Sequence, residues 1–297
     1  MSKLVVVTGA TGNVGKELAE GLVARGVRVR AVGRSAERLA PLVARGAEAA
    51  VGSVEDAAFL ARAFQGADAV FAMVPPNYAA PDTRAYQKSV VRALASGLRE
   101  ADVPRVVTLS SVGADQPGGN GPVAGLHDLE QAIAGIAGLH AIHVRAGYFM
   151  ENHLQSVGLV RSAGINGSPL KADLPIAMIA TKDIAAFALP FLADSAFTGQ
   201  TAREAYAARD YTMAEVTAIL GAAIGKPALP YVEFSVDDTR KAMLGAGLSA
   251  DLAGLFLEMY QALNDGRMKP LEPRSAANST PTTLEEFSKV FAAAYAG

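Results

Sequence analysis

Cysteine is absent from the 297-residue chain. Its absence excludes disulfides, thiolate metal sites and cysteine nucleophiles, and it fits a reducing compartment. The sequence has only four histidines and no paired carboxylates at ligand spacing, so we expect no metal site. It also has no G-x-S-x-G nucleophile elbow, which argues against a serine hydrolase.

Positive and negative side chains are nearly balanced, with 27 Lys and Arg against 29 Asp and Glu, so the formal net charge is −2. The chain therefore has little with which to neutralise a phosphate backbone, and we expect no nucleic-acid partner. No apolar run approaches the roughly 18 residues of a membrane span, and the first residues do not resemble a secretion leader. We expect a cytoplasmic monomer or homodimer that acts on a small molecule, without a membrane partner.

The first half of the chain alternates short apolar runs with longer helical patterns, which is typical of parallel strands joined by crossover helices. The strands are predicted at residues 4–8, 27–32, 47–51, 69–74, 105–110 and 141–145. The helices are predicted at residues 14–24, 36–44, 55–64, 81–100 and 126–137. Because the strands are apolar almost throughout, helices should cover both sheet faces. The fold class predicted is α/β, with a Rossmann-type doubly wound parallel sheet.

After about Gly147 this alternation ends, and proline, glycine and asparagine interrupt the chain. A helix is predicted at 213–223, a strand at 231–236 and a long helical region at 237–262. We therefore predict an NAD(P)-binding domain over residues 1–150. Residues 151–297 are predicted to form a smaller α+β cap that is interleaved with the sheet domain.

Three glycines follow the first predicted strand and precede the first predicted helix. Gly9, Gly12 and Gly15 form a G-x-x-G-x-x-G pattern, a spacing variant of the dinucleotide fingerprint. Glycine permits the tight turn and the close approach of a pyrophosphate, and the N–H groups of a helix start favour negative charge. The pattern predicts a dinucleotide site, with a ligand-free glycine turn as the alternative.

The end of the second strand indicates which nucleotide binds. NAD sites usually carry Asp or Glu about 20 residues beyond the glycines, whereas arginine suits a 2′-phosphate. Here Arg34 and Ser35 stand at the strand end, and Arg38 follows one helical turn later. We therefore expect NADP(H) in preference to NAD(H), with the guanidinium of Arg34 on the phosphate. A solvated surface charge is the alternative for Arg34 and the favoured interpretation for Arg38.

Motifs along the whole chain resemble the NmrA-like branch of the atypical short-chain dehydrogenase superfamily. They are TGATGNVG, AVGRS, LSSVGAD, HDLEQAI, RAGYFMEN and PTTLEEF. That family includes NADPH-dependent quinone and azo-dye reductases, as well as regulators that sense the nucleotide without obvious turnover.

The resemblance implies three groups of cofactor contacts. They are Gly9, Thr11, Gly12, Asn13 and Val14 at the pyrophosphate, Met73, Val74 and Pro75 at the ribose or adenine, and Gly147, Tyr148 and Phe149 near the nicotinamide. Two positions depart from the family pattern. Ser53 stands where many relatives carry an acid for the adenine, and Ala146 stands where relatives often have proline.

The catalytic pair of the wider superfamily is missing, because no tyrosine is followed by lysine at the fourth position. The corresponding segment carries His127 and Gln131, whose spacing predicts that both face one pocket. His127 is a candidate proton donor and Gln131 a candidate ribose ligand. Ser110 and Ser111 end the fifth strand, where ligands of open α/β sheets gather.

The catalytic candidates are therefore His127, Ser110 and Tyr148. The alternative roles are helix capping or surface exposure for His127, a turn for Ser110 and packing for Tyr148. Without a dedicated acid, reduction of a quinone or azo compound depends mainly on positioning. The first hypothesis is an NADPH-dependent oxidoreductase that delivers hydride to such an electron-poor acceptor.

A second hypothesis is an NAD(P)-sensing NmrA-like regulator that binds a protein partner, and the missing Tyr–Lys pair favours it. A third, an isoflavone-reductase-like enzyme with a catalytic lysine, lacks a recognisable lysine motif in this chain.

Overall fold

The computed structural model describes residues 3–194 and 196–297. Its largest element is an eight-stranded sheet in which every strand pair is parallel. In spatial order the strands are β13 (Ser279–Thr280), β10 (Gln200–Ala207), β6 (His140–Ala146), β5 (Arg105–Ser111), β4 (Ala69–Ala72), β1 (Leu4–Val7), β2 (Arg28–Gly33) and β3 (Glu48–Val51). The strand order reverses between β1 and β4, which is where open α/β sheets bind their ligands.

Helices cover both faces of this sheet. One face packs against α1 (Asn13–Ala24), α2 (Ala36–Val43) and α7 (Thr181–Asp194), and the other against α3 (Ala57–Phe64), α4 (Thr83–Glu100) and α5 (Ala124–Ala134). Successive side chains of a strand point to opposite faces, so Val5 and Val7 enter one core and Val6 the other. All three are fully buried, which explains the apolar strands.

The predicted fold class is confirmed as a Rossmann-type doubly wound α/β sheet. Each of the six predicted strands is present, with bounds that differ by at most two residues from those predicted. The five helices predicted between them are also present, with α5 beginning and ending somewhat earlier than expected.

The second half of the chain supplies both a cap and part of the main sheet. Strands β10 and β13 lie beyond residue 151, yet β10 pairs with β6 from Gln200 to Ala205. Smaller sheets contain β7 (Tyr148–Phe149), β9 (Ile176–Ile179) and β11 (Asp210–Tyr211), and separately β8 (Asn166–Ser168) and β12 (Tyr231–Glu233). The helices of this half besides α7 are α6 (Val157–Ala163), α8 (Met213–Ala223), α9 (Val236–Gly245), α10 (Ala250–Asn264) and α11 (Leu284–Ala296).

The long helical region predicted at 237–262 is instead two helices. Gly247 lies between them with φ of +88°, a conformation that glycine adopts readily and other residues rarely do. The hydroxyl of Ser249 then accepts the N–H of Leu252 at 3.2 Å and begins α10. The strand predicted at 231–236 ends early, because Ser235 caps α9 by accepting the N–H of Asp238 at 3.0 Å.

The terminal PTTLEEF segment joins the cap to α7. Thr282 donates its N–H and its hydroxyl to the buried carboxylate of Asp183, at 2.9 and 2.8 Å. Thr283 then forms a capping box with Glu286 at the start of α11. Among the described helices, none combines the length and the hydropathy needed to cross a membrane.

Candidate cofactor and substrate site

The glycine turn lies at the end of β1, beside the point where the strand order reverses. Gly9 has φ of +64°, and the N–H of Gly12 donates to its carbonyl at 2.9 Å. A Cβ on Gly15 would lie 2.3 Å from the Gly9 oxygen, so this glycine lets α1 pack against the turn. A Cβ on Gly12 would meet only the Gly9 oxygen, at 3.4 Å. The outer side of Gly12 is therefore open.

The N-terminus of α1 has no capping side chain and no acidic residue in its first turn. Its first N–H groups have no acceptor within the helix, and the helix dipole adds positive potential there. Thr11, Gly12 and Asn13 line a cleft of about 380 Å³ at this point. Val14 is buried in the core, so it offers a ligand only its N–H. An open glycine turn before an uncapped helix fits the diphosphate of a dinucleotide.

Two arginines follow β2: Arg34 comes directly after the strand, and Arg38 lies in the first turn of α2. Arg38 donates from its guanidinium to the carbonyl of Thr11 at 3.2 Å, so it contacts the glycine turn rather than only solvent. Arg34 is exposed. The Ser35 hydroxyl caps α2 by accepting the N–H of Arg38 at 3.2 Å. Ser53 likewise serves a turn, since its hydroxyl accepts the N–H of Glu55 at 3.2 Å.

A cavity of about 1220 Å³ opens beyond the carboxyl ends of β4, β5 and β6. The predicted site residues that line it are Met73, Val74, Pro75, Ser110, Ser111, Gly147, Tyr148 and Phe149. The cap closes the cavity with apolar side chains of α9 and α10, among them Met243, Leu252, Phe256 and Met259. The contributions of α9 and α10 were not predicted from the sequence, although their apolar residues were visible there. The cavity therefore joins the sheet edge to the cap.

Ser110 lies at the cavity wall, but its proton is engaged. The hydroxyl donates to the buried carboxylate of Glu130 at 2.6 Å. Arg145 pairs with the same carboxylate through two bonds of 3.0 and 2.6 Å. Hydrogen bonding to Glu130 raises the pKa of Arg145. Ser110 therefore offers the cavity an acceptor oxygen, and Glu130, inside the HDLEQAI motif, is the partner that sequence analysis missed.

His127 and Gln131 are not among the described residues that line the cavity. The Nδ1 of His127 lies 2.8 Å from the carbonyl oxygen of Ala114, so it is the protonated nitrogen and donates there. Gln131 is exposed on α5. The helix instead turns Leu126 toward the cavity and Leu129 into the core. This orientation corrects the expectation that His127 and Gln131 face the substrate pocket.

Tyr148 and His153 form the inner polar part of the cavity wall. Burial raises the pKa of Tyr148 well above its usual value, and the neighbouring Tyr260 adds to the effect. The Tyr148 phenol therefore stays protonated at neutral pH and can only act as a neutral hydrogen-bonding group. The His153 ring lies 5.7 Å from the Tyr148 ring, and burial lowers the pKa of His153 to about 4. His153 is therefore neutral as well.

Two residues of the wall have unused hydrogen-bonding atoms. The Nε2 of His153 and the hydroxyl oxygen of Thr83 are buried without a hydrogen-bond partner. Tyr260 and Thr83 gave no recognisable signal in the sequence, because they reach the cavity only through the positions that α10 and α4 take in the folded chain. Within the described ranges, no cluster of three or more His, Cys, Asp or Glu could hold a metal ion.

Comparison with known proteins assigns the chain to a protein family. The model of the NmrA-like family matches residues 1–288. An NAD(P)H azoreductase of Xenophilus azovorans is 30% identical over 296 residues, covering 98% of this chain and 99% of that protein. A (4-alkanoyl-5-oxo-2,5-dihydrofuran-3-yl)methyl phosphate reductase of Streptomyces griseus is 32% identical over 274 residues, covering 91% and 90%.

Solved structures show the same fold. An NADPH-dependent quinone oxidoreductase from Escherichia coli, complexed with NADPH, has a TM-score of 0.81 at 22% identity and covers 96% of this chain and 98% of its own. A Citrobacter sp. triphenylmethane reductase complexed with NADP(H) has a TM-score of 0.79 at 19% identity, with 97% and 99% coverage. With a family match over nearly the whole length and a relative of similar extent, this chain belongs to the NmrA-like family.

Proposed function

We propose that the protein is an NAD(P)H-dependent reductase that delivers hydride to a small electron-poor acceptor such as a quinone or an azo compound, and that it prefers NADPH. The observation that carries the proposal is the juxtaposition of an open glycine turn with a wide, mainly apolar cavity at the switch point of the sheet. The names of two relatives, both reductases, support it.

In this proposal the backbone of the glycine turn binds the diphosphate. Arg34 and Arg38 bind the 2′-phosphate, and Met73, Val74 and Pro75 contact the ribose or adenine. The segment Gly147, Tyr148 and Phe149 lies against the nicotinamide. The bound cofactor supplies the hydride.

The residues of the chain position and shield the reactants. Apolar side chains of α9 and α10 cover the cavity, and the neutral Tyr148 phenol, hydrogen-bonded to Tyr260 and Asn152, forms the wall beside the acceptor. Ser110 is held by Glu130 and does not move a proton to the acceptor. The anion formed by hydride transfer takes one proton from water, so positioning supplies most of the rate.

The shape of the cavity favours turnover over nucleotide sensing alone. A sensor needs different affinities in two states but no room for a second molecule. A cavity of about 1220 Å³ exceeds the usual range of about 300–1,000 Å³ for small-molecule sites, so it has space for a nicotinamide and an acceptor together.

The test of the proposal is NADPH consumption with a panel of quinones, azo dyes and activated carbonyls. The protein is first shown to be folded and to bind NADPH by calorimetry. Saturable turnover of at least one acceptor class is expected. Folded, NADPH-bound protein that is inactive with the whole panel would overturn the reductase proposal and leave the sensor.

The cofactor preference is tested separately. Arg34→Ala and Arg38→Ala are each expected to weaken NADPH binding at least about tenfold, because charge-assisted bonds to phosphate are lost, while NADH binding stays unchanged. Arg25→Ala, at an exposed position after α1, is the matched control. An equal loss for both nucleotides would contradict a role at the 2′-phosphate.

A further inference from the structure

The large cavity is lined by few charges. Among the described residues of its wall, only Asp210 and Lys269 carry charged side chains. The carboxylate of Asp210 is paired with the guanidinium of Arg274. Lys269 is exposed, so water screens its charge. Neither residue provides a buried charge for a ligand.

The titratable groups at the inner wall are also neutral. Burial raises the pKa of Tyr148 and that of Tyr260, and it lowers the pKa of His153 to about 4. Behind Ser110, the carboxylate of Glu130 is compensated by Arg145 at 2.6 Å. No uncompensated cation therefore stands near the inner end of the cavity in the part of the chain that the structure describes.

The wall nevertheless has hydrogen-bonding capacity. Thr83 and His153, each 4% exposed, hold two of the four buried side-chain atoms that lack a partner in the described chain. These two atoms are covered by protein, whereas the neutral polar side chains of Asn77, Asn152 and Gln155 also line the cavity. Apolar surface combined with a few neutral polar groups suits a molecule of the same character.

We infer that the acceptor taken by this cavity is an uncharged, largely apolar molecule with hydrogen-bonding oxygen or nitrogen atoms, and that an anionic substituent weakens its binding. The inference rests on the proposed reductase function and specifies its substrate class. Its physical basis is the high cost of moving an anion out of water when no cation receives it. By contrast, the name of the Streptomyces relative refers to a phosphate ester, which is an anion.

A naphthoquinone and its sulfonated analogue provide the test. The sulfonate withdraws electrons and makes the ring easier to reduce, so any preference for the neutral compound reflects binding and not reactivity. Calorimetry with the cofactor-free protein gives Kd for each compound without the positive charge of an oxidised nicotinamide, and NADPH consumption gives kcat/KM. We expect the sulfonated compound to bind at least about tenfold more weakly and to have a correspondingly higher KM.

Equal or tighter binding of the sulfonated compound would overturn the inference. If neither compound is reduced, the two Kd values still test the charge preference, whereas the reductase proposal fails only when the whole acceptor panel is inactive. The two failures are thus distinguishable.

Adding a cation to the wall gives an independent test. Met259 lies on α10 and lines the cavity, whereas Gln261 on the same helix is exposed and lies outside the lining. Met259→Lys is expected to reduce the discrimination against the sulfonate several-fold, and Gln261→Lys, which adds the same charge, is expected to leave it unchanged. The same change in both variants would show a general effect of net charge and contradict the inference.

Discussion

At the scale of single residues, the glycines of the first turn meet different physical requirements. Gly15 is needed for packing, because a side chain there would collide with the backbone oxygen of Gly9 at 2.3 Å. Gly12 has ordinary extended backbone angles, φ −93° and ψ 172°, and open space beyond it. A side chain at Gly12 would therefore disturb a ligand and not the fold.

Two alanine substitutions separate these roles. Gly12→Ala is expected to change the free energy of unfolding by less than about 1 kcal/mol but to weaken NADPH binding at least about tenfold, since the methyl group would occupy the place proposed for the diphosphate. Gly15→Ala is expected to destabilise the protein by about 1–3 kcal/mol through overpacking. Urea unfolding and calorimetry measure both. Wild-type NADPH affinity in Gly12→Ala would contradict the predicted site.

A second residue-scale prediction concerns His153 and acid. The pKa of His153 is about 4 in the folded protein, whereas the ordinary value of histidine is 6.5. Between pH 4 and pH 6.5 the unfolded chain therefore binds a proton at this residue that the folded protein does not bind. Stability that His153 contributes is therefore present above pH 6.5 and is lost as the pH falls toward 4. From pH 7 to pH 5 this loss amounts to about 2 kcal/mol.

The His153→Asn variant measures this contribution, because asparagine does not titrate. Urea unfolding at pH 7 and pH 5 should show a smaller acid loss in the variant than in the wild type. Burial also lowers the pKa of His143, which bonds to Thr108 at 2.8 Å and remains in both proteins. An identical pH dependence of wild type and variant would exclude the effect of His153.

At the scale of elements, the pair of Glu130 on α5 and Arg145 on β6 fixes the wall behind Ser110. Their side chains are only 7% and 14% exposed, so each charge depends on the other for compensation. Breaking such a pair by removing one partner leaves an uncompensated buried charge.

We expect Glu130→Ala to lower the free energy of unfolding by about 3–5 kcal/mol. Replacing both residues by leucine should cost less than this single change, because no charge is left unpaired. Asp265→Ala is the control: the Asp265 pair with Arg267 is 47% and 42% exposed, and its loss should cost less than about 1 kcal/mol. A double variant less stable than Glu130→Ala would contradict this account.

The element scale also shows where sequence patterns were sufficient. Strands β1 to β6 were predictable because burial on both faces requires continuous apolar runs. Strand β10 was not, since its sequence QTAREAYA is rich in residues that favour helices. It is extended because the exposed edge of β6 offers backbone partners from Ala141 to Ala146, and tertiary pairing overrides local preference.

At the scale of the whole molecule, the two halves of the chain complete one another. The sheet begun by residues 1–150 gains β10 and β13 from the second half, and α7 covers the same core as α1. Without β10 and α7, the outer edge of β6 is unpaired, and the side chains of Ile142 and Val144 lose apolar contacts. The sheet of residues 1–150 thus depends on residues beyond 150.

The isolated fragment of residues 1–150 is therefore expected not to fold into a stable monomer. Circular dichroism should show no cooperative thermal transition, and gel filtration should show aggregation, under conditions where the full chain is monodisperse. A monomeric fragment with a cooperative transition would contradict the dependence on β10 and α7.

For the candidate site, the sequence by itself determined the positions that follow from local order along the chain. Gly9, Gly12 and Gly15, Arg34 at the end of β2, and the residues Met73 to Pro75 follow their strands directly, so their positions depend on short-range structure. The alternation of continuous apolar strands with helical patterns likewise determined the fold class.

Only the tertiary structure decided which side chains share the cavity. Tyr260 and Met259 reach it because α10 packs against α9 and residues 121–123, and Thr83 reaches it where its N–H donates to Asp251 of α10 at 2.8 Å. His127 is excluded because α5 turns its other face inward. The physical reason is that contacts between distant segments depend on how whole helices pack, and this information is spread over many residues rather than contained in any one motif.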